Sequence, residues 1–141
     1  YEPEYAAELC DAIGRFDKLR MVMLTSTQPA QMVGIFEFSF GIPESDFERF
    51  KSYGIELEEG CHARFGPCLR DDYQGKGIAS LVMPHMKECA RTFGARHIIL
   101  WGGVIQSNQP AIAFYSKEGF RELGVFRTPD GKESLDMILD L

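Results

Sequence analysis

Apolar and polar positions change period along the chain, and each change marks a new element. Over residues 4–16, Tyr5, Leu9, Ala12, Ile13 and Phe16 recur at helical spacing, which predicts a short amphipathic helix weakened at its end by Gly14 and Asp17. Residues 20–26 (RMVMLTS) and 31–40 (QMVGIFEFSF) are rich in β-formers and flank Gln28-Pro29-Ala30, so they read as an antiparallel hairpin. The pattern then breaks. Residues 41–60 contain Ile42-Pro43, a short helical stretch over 44–53 with Phe47 and Phe50 facing inward, and the acidic Glu56, Glu58 and Glu59. A connection of this length is where binding surfaces tend to be built.

Residues 61–69 resume as a strand with Gly66-Pro67 in its middle. Proline cannot donate to a sheet ladder, so the strand is expected to bulge or splay there. From Gly77, the residues Ile78, Leu81, Val82, Met86, Cys89, Ala90 and Phe93 fall at helical intervals, giving a helix stopped by Gly94 and kinked at Pro84. Residues 97–101 (HIILW) are continuously apolar, as a buried strand is. Following a helix, they should lie parallel to strand 61–69 through a right-handed crossover. Asn108 as N-cap and Pro110 in the first turn open a second helix, with Ala111, Phe114 and Tyr115 on one face and Glu118-Gly119 at its end. Residues 120–126 and 133–139, joined across Thr128-Pro129-Asp130-Gly131-Lys132, form a closing hairpin. The outcome is an α+β chain whose mixed, mostly antiparallel sheet carries one parallel pair. With no internal repeat or linker, residues 1–141 read as one domain.

Composition changes this picture mainly by exclusion. At 45% hydrophobic and 26% charged residues the chain is ordinary globular material. Its net charge of −6 argues against nucleic acid as a partner, because phosphate backbones are bound by clustered Lys and Arg. An acidic surface fits solubility and also a basic, amine-bearing partner. Cys10, Cys61, Cys68 and Cys89 have neither paired CxxC spacing nor the density of a disulfide scaffold, so they read as small buried hydrophobes in a reducing, cytoplasmic setting. His62, His85 and His97 are scattered and no metal is expected. No apolar run approaches the ~18 residues a membrane span needs, so no membrane partner is expected.

Chemistry is concentrated in residues 69–80 (LRDDYQGKGIAS), a strand–turn–helix junction. Glycines at 75 and 77 let the main chain approach a ligand without a Cβ in the way, and the N–H groups at a helix start lack internal partners. Together they form a ready anion site of the kind that holds a pyrophosphate. A short glycine pair is also found in ordinary turns, so the downstream residues must decide.

Those residues bear a specific resemblance. Gln74-Gly75-Lys76-Gly77-Ile78-Ala79 matches the Q/R-x-x-G-x-G/A signature of the GNAT superfamily of acyl-CoA-dependent N-acyltransferases. Residues 108–120 (NQPAIAFYSKEGF) match its N-x-x-A-x-x-F-Y-x-K-x-G-F signature at every named position. Both occur in the family's order with the expected strand between them. The resemblance covers residues 61–126 closely and the remaining order of elements loosely. It implies a GNAT fold, acetyl-CoA as cosubstrate, no metal, and direct transfer of an acetyl group to the primary amine of a small molecule or peptide. A non-catalytic acyl-CoA-binding sensor or assembly module is the alternative.

The resemblance also implies roles. Main-chain N–H groups of Gln74, Gly75, Lys76, Gly77, Ile78, Ala79 and Ser80 would cradle the CoA pyrophosphate, with Lys76 adding charge. Pantetheine would lie in the splay, pairing with the main chain of Cys68, Leu69 and Arg70, and a bulge N–H near Gly66-Pro67 would polarise the thioester carbonyl. Asn108 would contact pantetheine, and Tyr115 would act as general acid toward the leaving thiolate. Each has a plainer reading: Asn108 as an N-cap, Tyr115 as core packing, Lys76 as a solvated lysine. For the base, the family's usual carboxylate position falls near Ala63, so Glu59, His62 and Glu37 are the candidates, His62 having the most suitable ordinary pKa. A water relay is equally open. Cys61 and Cys68 have no His or Asp spaced to activate them, which favours a ternary complex over a covalent enzyme intermediate. Complete members carry another strand and a helix or two ahead of the first hairpin. The resemblance therefore implies either a first strand missing from the N-terminus or an edge supplied by a partner chain, as in a homodimer. The acidic 56–59 segment favours a cationic acceptor.

Overall fold

The computed structural model describes residues 17–141, so the helix expected over 4–16 lies outside the described residues. The elements are β1 (Lys18–Leu24), β2 (Met32–Ser39), α1 (Glu44–Ser52), β3 (His62–Leu69), a 3-10 turn (Asp71–Tyr73), α2 (Ile78–Thr92), β4 (His97–Leu100), β5 (Val104–Ile105), α3 (Gln109–Lys117), β6 (Arg121–Arg127) and β7 (Glu133–Asp140). Strand limits differ from expectation by a residue or two. The two-residue β5 has too little sequence to announce itself. Helix α2 continues through Pro84 as one element.

Among the described residues seven strands form one sheet in the order β1-β2-β3-β4-β7-β5, with β6 paired to β7. The pair β3–β4 is parallel and the other described pairs are antiparallel, as the crossover through α2 requires. No helix among the described residues is long and apolar enough to cross a membrane.

Strand alternation sorts the core into two clusters. On one face Phe36, Phe38, Ala63, Phe65, Ile98, Leu100 and Met137 pack against Met83, Met86 and Ala90 of α2 and Tyr115 of α3. On the other, Ile99 and Ile138 meet Phe50 of α1, with Phe47 beside it, as the inward-facing phenylalanines of that segment anticipated. Phe38, Phe50 and Phe65 are fully buried, each contributing roughly 1.5–3 kcal/mol through removal from water.

An ionic network ties α1 to its face of the sheet. Arg49 donates from Nε to Asp136 Oδ2 of β7 at 2.6 Å, Tyr53 donates its hydroxyl to the same oxygen at 3.1 Å, and Asp46 pairs with both Arg49 and Arg64. Asp136 is completely buried, and burial pushes its carboxyl above the ordinary range although Arg49 opposes the shift. Such an arrangement fixes geometry more than it adds stability, because desolvation offsets much of the attraction.

Candidate active site

The cleft begins where the parallel ladder stops. A strand points the main-chain groups of alternate residues toward opposite edges. The Arg70 N–H donates to the Val33 carbonyl at 2.9 Å, so Arg64, Gly66, Cys68 and Arg70 face β2. The Trp101 N–H donates to the Phe65 carbonyl at 2.9 Å, so Phe65, Pro67 and Leu69 face β4. The next rung of a parallel ladder would run from an N–H at residue 67 to the Trp101 carbonyl, and proline has no N–H to give. The β3–β4 register accordingly ends at Phe65 opposite Leu100. On the other side the β2–β3 register runs unbroken from Gly34–Leu69 to Ser39–Arg64. Of the two outcomes expected at Gly66-Pro67, the structure has the splay and no bulge toward β2.

Beyond the last rung the opposite wall turns away. Gly102 and Gly103 adopt φ of 71° and 67°, which carries the chain from β4 to β5 and onto the Ser134–Leu135 part of β7. A Cβ on Gly103 would lie 2.7 Å from the Leu135 carbonyl oxygen, so only glycine fits. The opening is a cleft of about 680 Å³ lined by Pro67 and Leu69 of β3, residues of the 73–80 turn, Gly103 to Ile105, and one face of α3.

The turn is held open by its own side chains. Gln74 Nε2 donates to the Leu69 carbonyl at 2.9 Å and to Asp71 Oδ1 at 3.0 Å, drawing that carboxylate away from the helix start. Arg70 pairs with Asp72 and removes the second one. Gly75 and Gly77 take φ of 68° and 76°, with nothing within 4 Å of where a Cβ would stand. Gly77 is the N-cap of α2 and supplies no side-chain acceptor, so the N–H groups of the first turn are left without a capping partner. Free N–H donors, an empty space above two glycines and the positive end of a helix dipole make an anion cradle. With Leu69's carbonyl taken by Gln74, β3 offers the cleft one donor, the Leu69 N–H, and one acceptor, the Pro67 carbonyl. That is the complement of a single amide group.

Helix α3 supplies the other wall. Asn108 Oδ1 accepts from the Ala111 N–H at 3.3 Å, so the N-cap role is real, and the amide's Nδ2 is left for the cleft it lines. Tyr115 is buried between Phe114 and Phe120, and its ring lines the cleft. Its hydroxyl has no hydrogen-bond partner among the described residues. Burial pushes this phenol far above its ordinary value, so it holds its proton throughout the neutral range.

A splayed parallel pair, an uncapped glycine-flanked helix start and a tyrosine across the cleft are what the two sequence signatures anticipate, and comparison with known proteins agrees. Residues 33–120 match the model of the acetyltransferase (GNAT) family. The chain belongs to that family. Direct comparison with curated proteins gives no significant match. Among solved structures, the GNAT domain of S. lividans PAT superposes with a TM-score of 0.70 at 18% identity, covering 96% of this chain and 69% of that one. The spermidine/spermine N-acetyltransferase SpeG from Vibrio cholerae gives 0.67 at 19%, covering 97% and 73%. The ribosomal-protein-S18-alanine N-acetyltransferase from Escherichia coli gives 0.66 at 19%, covering 95% and 75%. At such identities these likenesses establish the fold, which is the GNAT fold.

Within this GNAT frame the residues singled out from the sequence divide sharply. Leu69, Gln74, Gly75, Gly77, Ile78, Ala79, Ser80, Asn108 and Tyr115 meet around the one cleft. Cys68 and Arg70 are on the same strand but turn their main-chain groups to β2, and Lys76 reaches out over the Tyr73 ring, 5.6 Å from its centroid. His62 and Glu59 are elsewhere. His62 lies seven residues before Leu69, about 23 Å away along β3. There its ring stacks on His97 at 4.6 Å and Nδ1 accepts the Glu58 N–H at 3.0 Å. Burial lowers its pKa. Glu59 accepts the Ile42 N–H at 3.4 Å, and Glu58 pairs with Arg96. Glu58 and Glu59 are therefore toward the His62 end of the sheet and are not among the cleft-lining residues. Glu37 stands opposite Gly66 at the level of the splay, paired to Arg20 and to Lys18. Gly103, Val104 and Ile105 were not foreseen as cleft residues. The Gly102-Gly103 pair directly after a buried strand was the available signal.

Proposed function

We propose that the protein binds acetyl-CoA in this cleft and transfers the acetyl group directly to a primary amine. The observation that carries the reading is the pairing, in one cleft, of an uncapped helix start with the protonated hydroxyl of Tyr115, which has no partner among the described residues. The pyrophosphate would sit on the N–H groups of residues 77–80, and a pantetheine amide would pair with the Leu69 N–H and the Pro67 carbonyl. In the reaction the amine nitrogen attacks the thioester carbon, the carbonyl oxygen takes the charge, and the C–S bond then breaks as the carbonyl reforms. The sulfur leaves as a thiolate and receives a hydrogen bond from Tyr115. Because burial has raised this phenol well above a thiol, its acid role is donation of that bond, with complete proton transfer uphill. Among the described residues lining the cleft none is Asp, Glu or His, which favours loss of the amine proton through water. Cys68 alternates with the cleft-lining Pro67 and Leu69 onto the other face of β3, which favours direct transfer over an acyl-cysteine.

The decisive experiment follows release of free CoA from acetyl-CoA across a panel of amines that includes polyamines, amino-acid amides and peptide N-termini. Amine-stimulated release supports the transferase. Tight acetyl-CoA binding in calorimetry with no stimulation by any amine would overturn it in favour of a binding module.

A further inference from the structure

Position 67 is the first residue on β3 whose main chain points into the cleft beyond the last rung of the ladder. In a splayed pair of this kind an N–H at that position has lost its β4 acceptor and is the strand's donor closest to the apex, where a reacting thioester carbonyl needs stabilising as it becomes an oxyanion. Here the residue is proline. The next cleft-facing donor, the Leu69 N–H, lies two residues toward the phosphate turn. Across the cleft near the apex, the Gly103 N–H donates to the Leu100 carbonyl at 3.2 Å and the Trp101 N–H to the Phe65 carbonyl at 2.9 Å. Neither does β2 relieve the deficit, since its register with β3 has no bulge that would swing another N–H inward.

We propose that Pro67 is a rate-setting residue: by ending the β3–β4 ladder it opens the cleft, and by lacking an N–H it leaves the thioester carbonyl of the bound donor without a main-chain hydrogen bond from β3. The inference rests on the reading of the cleft as an acetyl-CoA site. It makes proline a compromise between two needs of one position, a ladder that stops and an oxyanion that is held. The Gly102-Gly103 turn carries the opposite wall onto β7 whatever stands at position 67, so a restored N–H should meet the donor rather than the Trp101 carbonyl and accelerate transfer. The bond changes are those of the uncatalysed aminolysis, N–C formed and C–S broken. The added group donates only to the oxygen that carries charge in between.

The test uses the complex with acetyl-CoA and no amine, so that it does not depend on turnover. Isotope-edited infrared spectra of acetyl-CoA carrying carbon-13 at the acetyl carbonyl are recorded on Tyr115→Phe and on Tyr115→Phe with Pro67→Ala, so that any shift reports the main chain. Without the N–H, the carbonyl band is expected at the position of a thioester in aprotic solvent. With Pro67→Ala it should move to lower wavenumber. In the Tyr115 enzyme, Pro67→Ala should raise kcat about tenfold while acetyl-CoA affinity stays within about twofold. A band already displaced with proline in place overturns the proposal, whether or not the alanine variant folds. So does a bound, folded alanine variant with unmoved band and unchanged kcat. Failure of the wild-type protein to bind acetyl-CoA would instead overturn the assignment of the cleft, and this inference with it.

Discussion

In the proposed reaction Tyr115 acts on the leaving group, and no side chain or carbonyl among the described residues competes for its hydroxyl. The ring is buried while the residue lines the open cleft, so the hydroxyl is available as a donor to whatever occupies that space. Tyr115→Phe is expected to lower kcat about 100-fold with acetyl-CoA affinity nearly unchanged. Equal kcat in the two proteins would remove the hydroxyl from the reaction. The glycines of the turn act through backbone conformation. At φ of 76°, Gly77→Ala introduces a left-handed strain of about 1–2 kcal/mol and places a methyl in the space above the helix start. Both a reduced denaturation midpoint and weaker acetyl-CoA binding should follow. A variant that is destabilised yet binds with full affinity would place the pyrophosphate elsewhere.

At the scale of elements, what was legible in the sequence depended on whether a function is local. The 74–80 turn and the 108–120 segment are each contiguous, so their resemblance to the two family signatures was enough to point to both walls of the cleft. Pro67 is different: it was readable as a strand disruptor, but which edge it disrupts depends on register against β2 and β4. The distance of His62 from the cleft-lining residues was hidden for the same reason, since position along a strand, not residue chemistry, decides which end of the sheet it occupies. The ion pair joining α1 to β7 links residues 87 apart and has no local signature at all. Its removal has a definite expectation. Asp136→Asn leaves Arg49 against a buried site without its counter-charge, and unfolding in urea should show a loss of about 3 kcal/mol. Because this network packs on the face opposite Tyr115, acetyl-CoA affinity of the folded variant should be preserved. A loss below about 0.5 kcal/mol would mean that Arg49 is compensated by water or by Asp46 alone.

Taken whole, the molecule is a sheet with an open end and a closed end. At the open end β3 and β4 separate around the cleft. At the closed end the same strands are bound together, with His62 opposite His97 in register and Asp140 pairing with the His97 ring. The closed end holds the strands whose divergence makes the site, and it carries a titratable weakness. Burial is the largest influence on His62 and disfavours its imidazolium. The Glu58 carbonyl, 3.2 Å from Nδ1 and able to accept from the protonated ring, opposes this, while His97 and Arg96 reinforce it. The folded-state pKa therefore lies below the unfolded value of about 6.5. Such a group binds more protons unfolded than folded in the interval between the two values, so its contribution to stability is complete above about pH 6.5 and is lost as pH falls through the folded pKa. The urea midpoint of the wild-type protein should drop between pH 7 and pH 5. In His62→Asn, which keeps an acceptor for the Glu58 N–H but does not titrate, the drop should be smaller. Acetyl-CoA affinity at pH 7 should be the same in both, because the substitution is at the other end of β3. An identical pH dependence in the two proteins would mean that His62 is protonated as readily folded as unfolded.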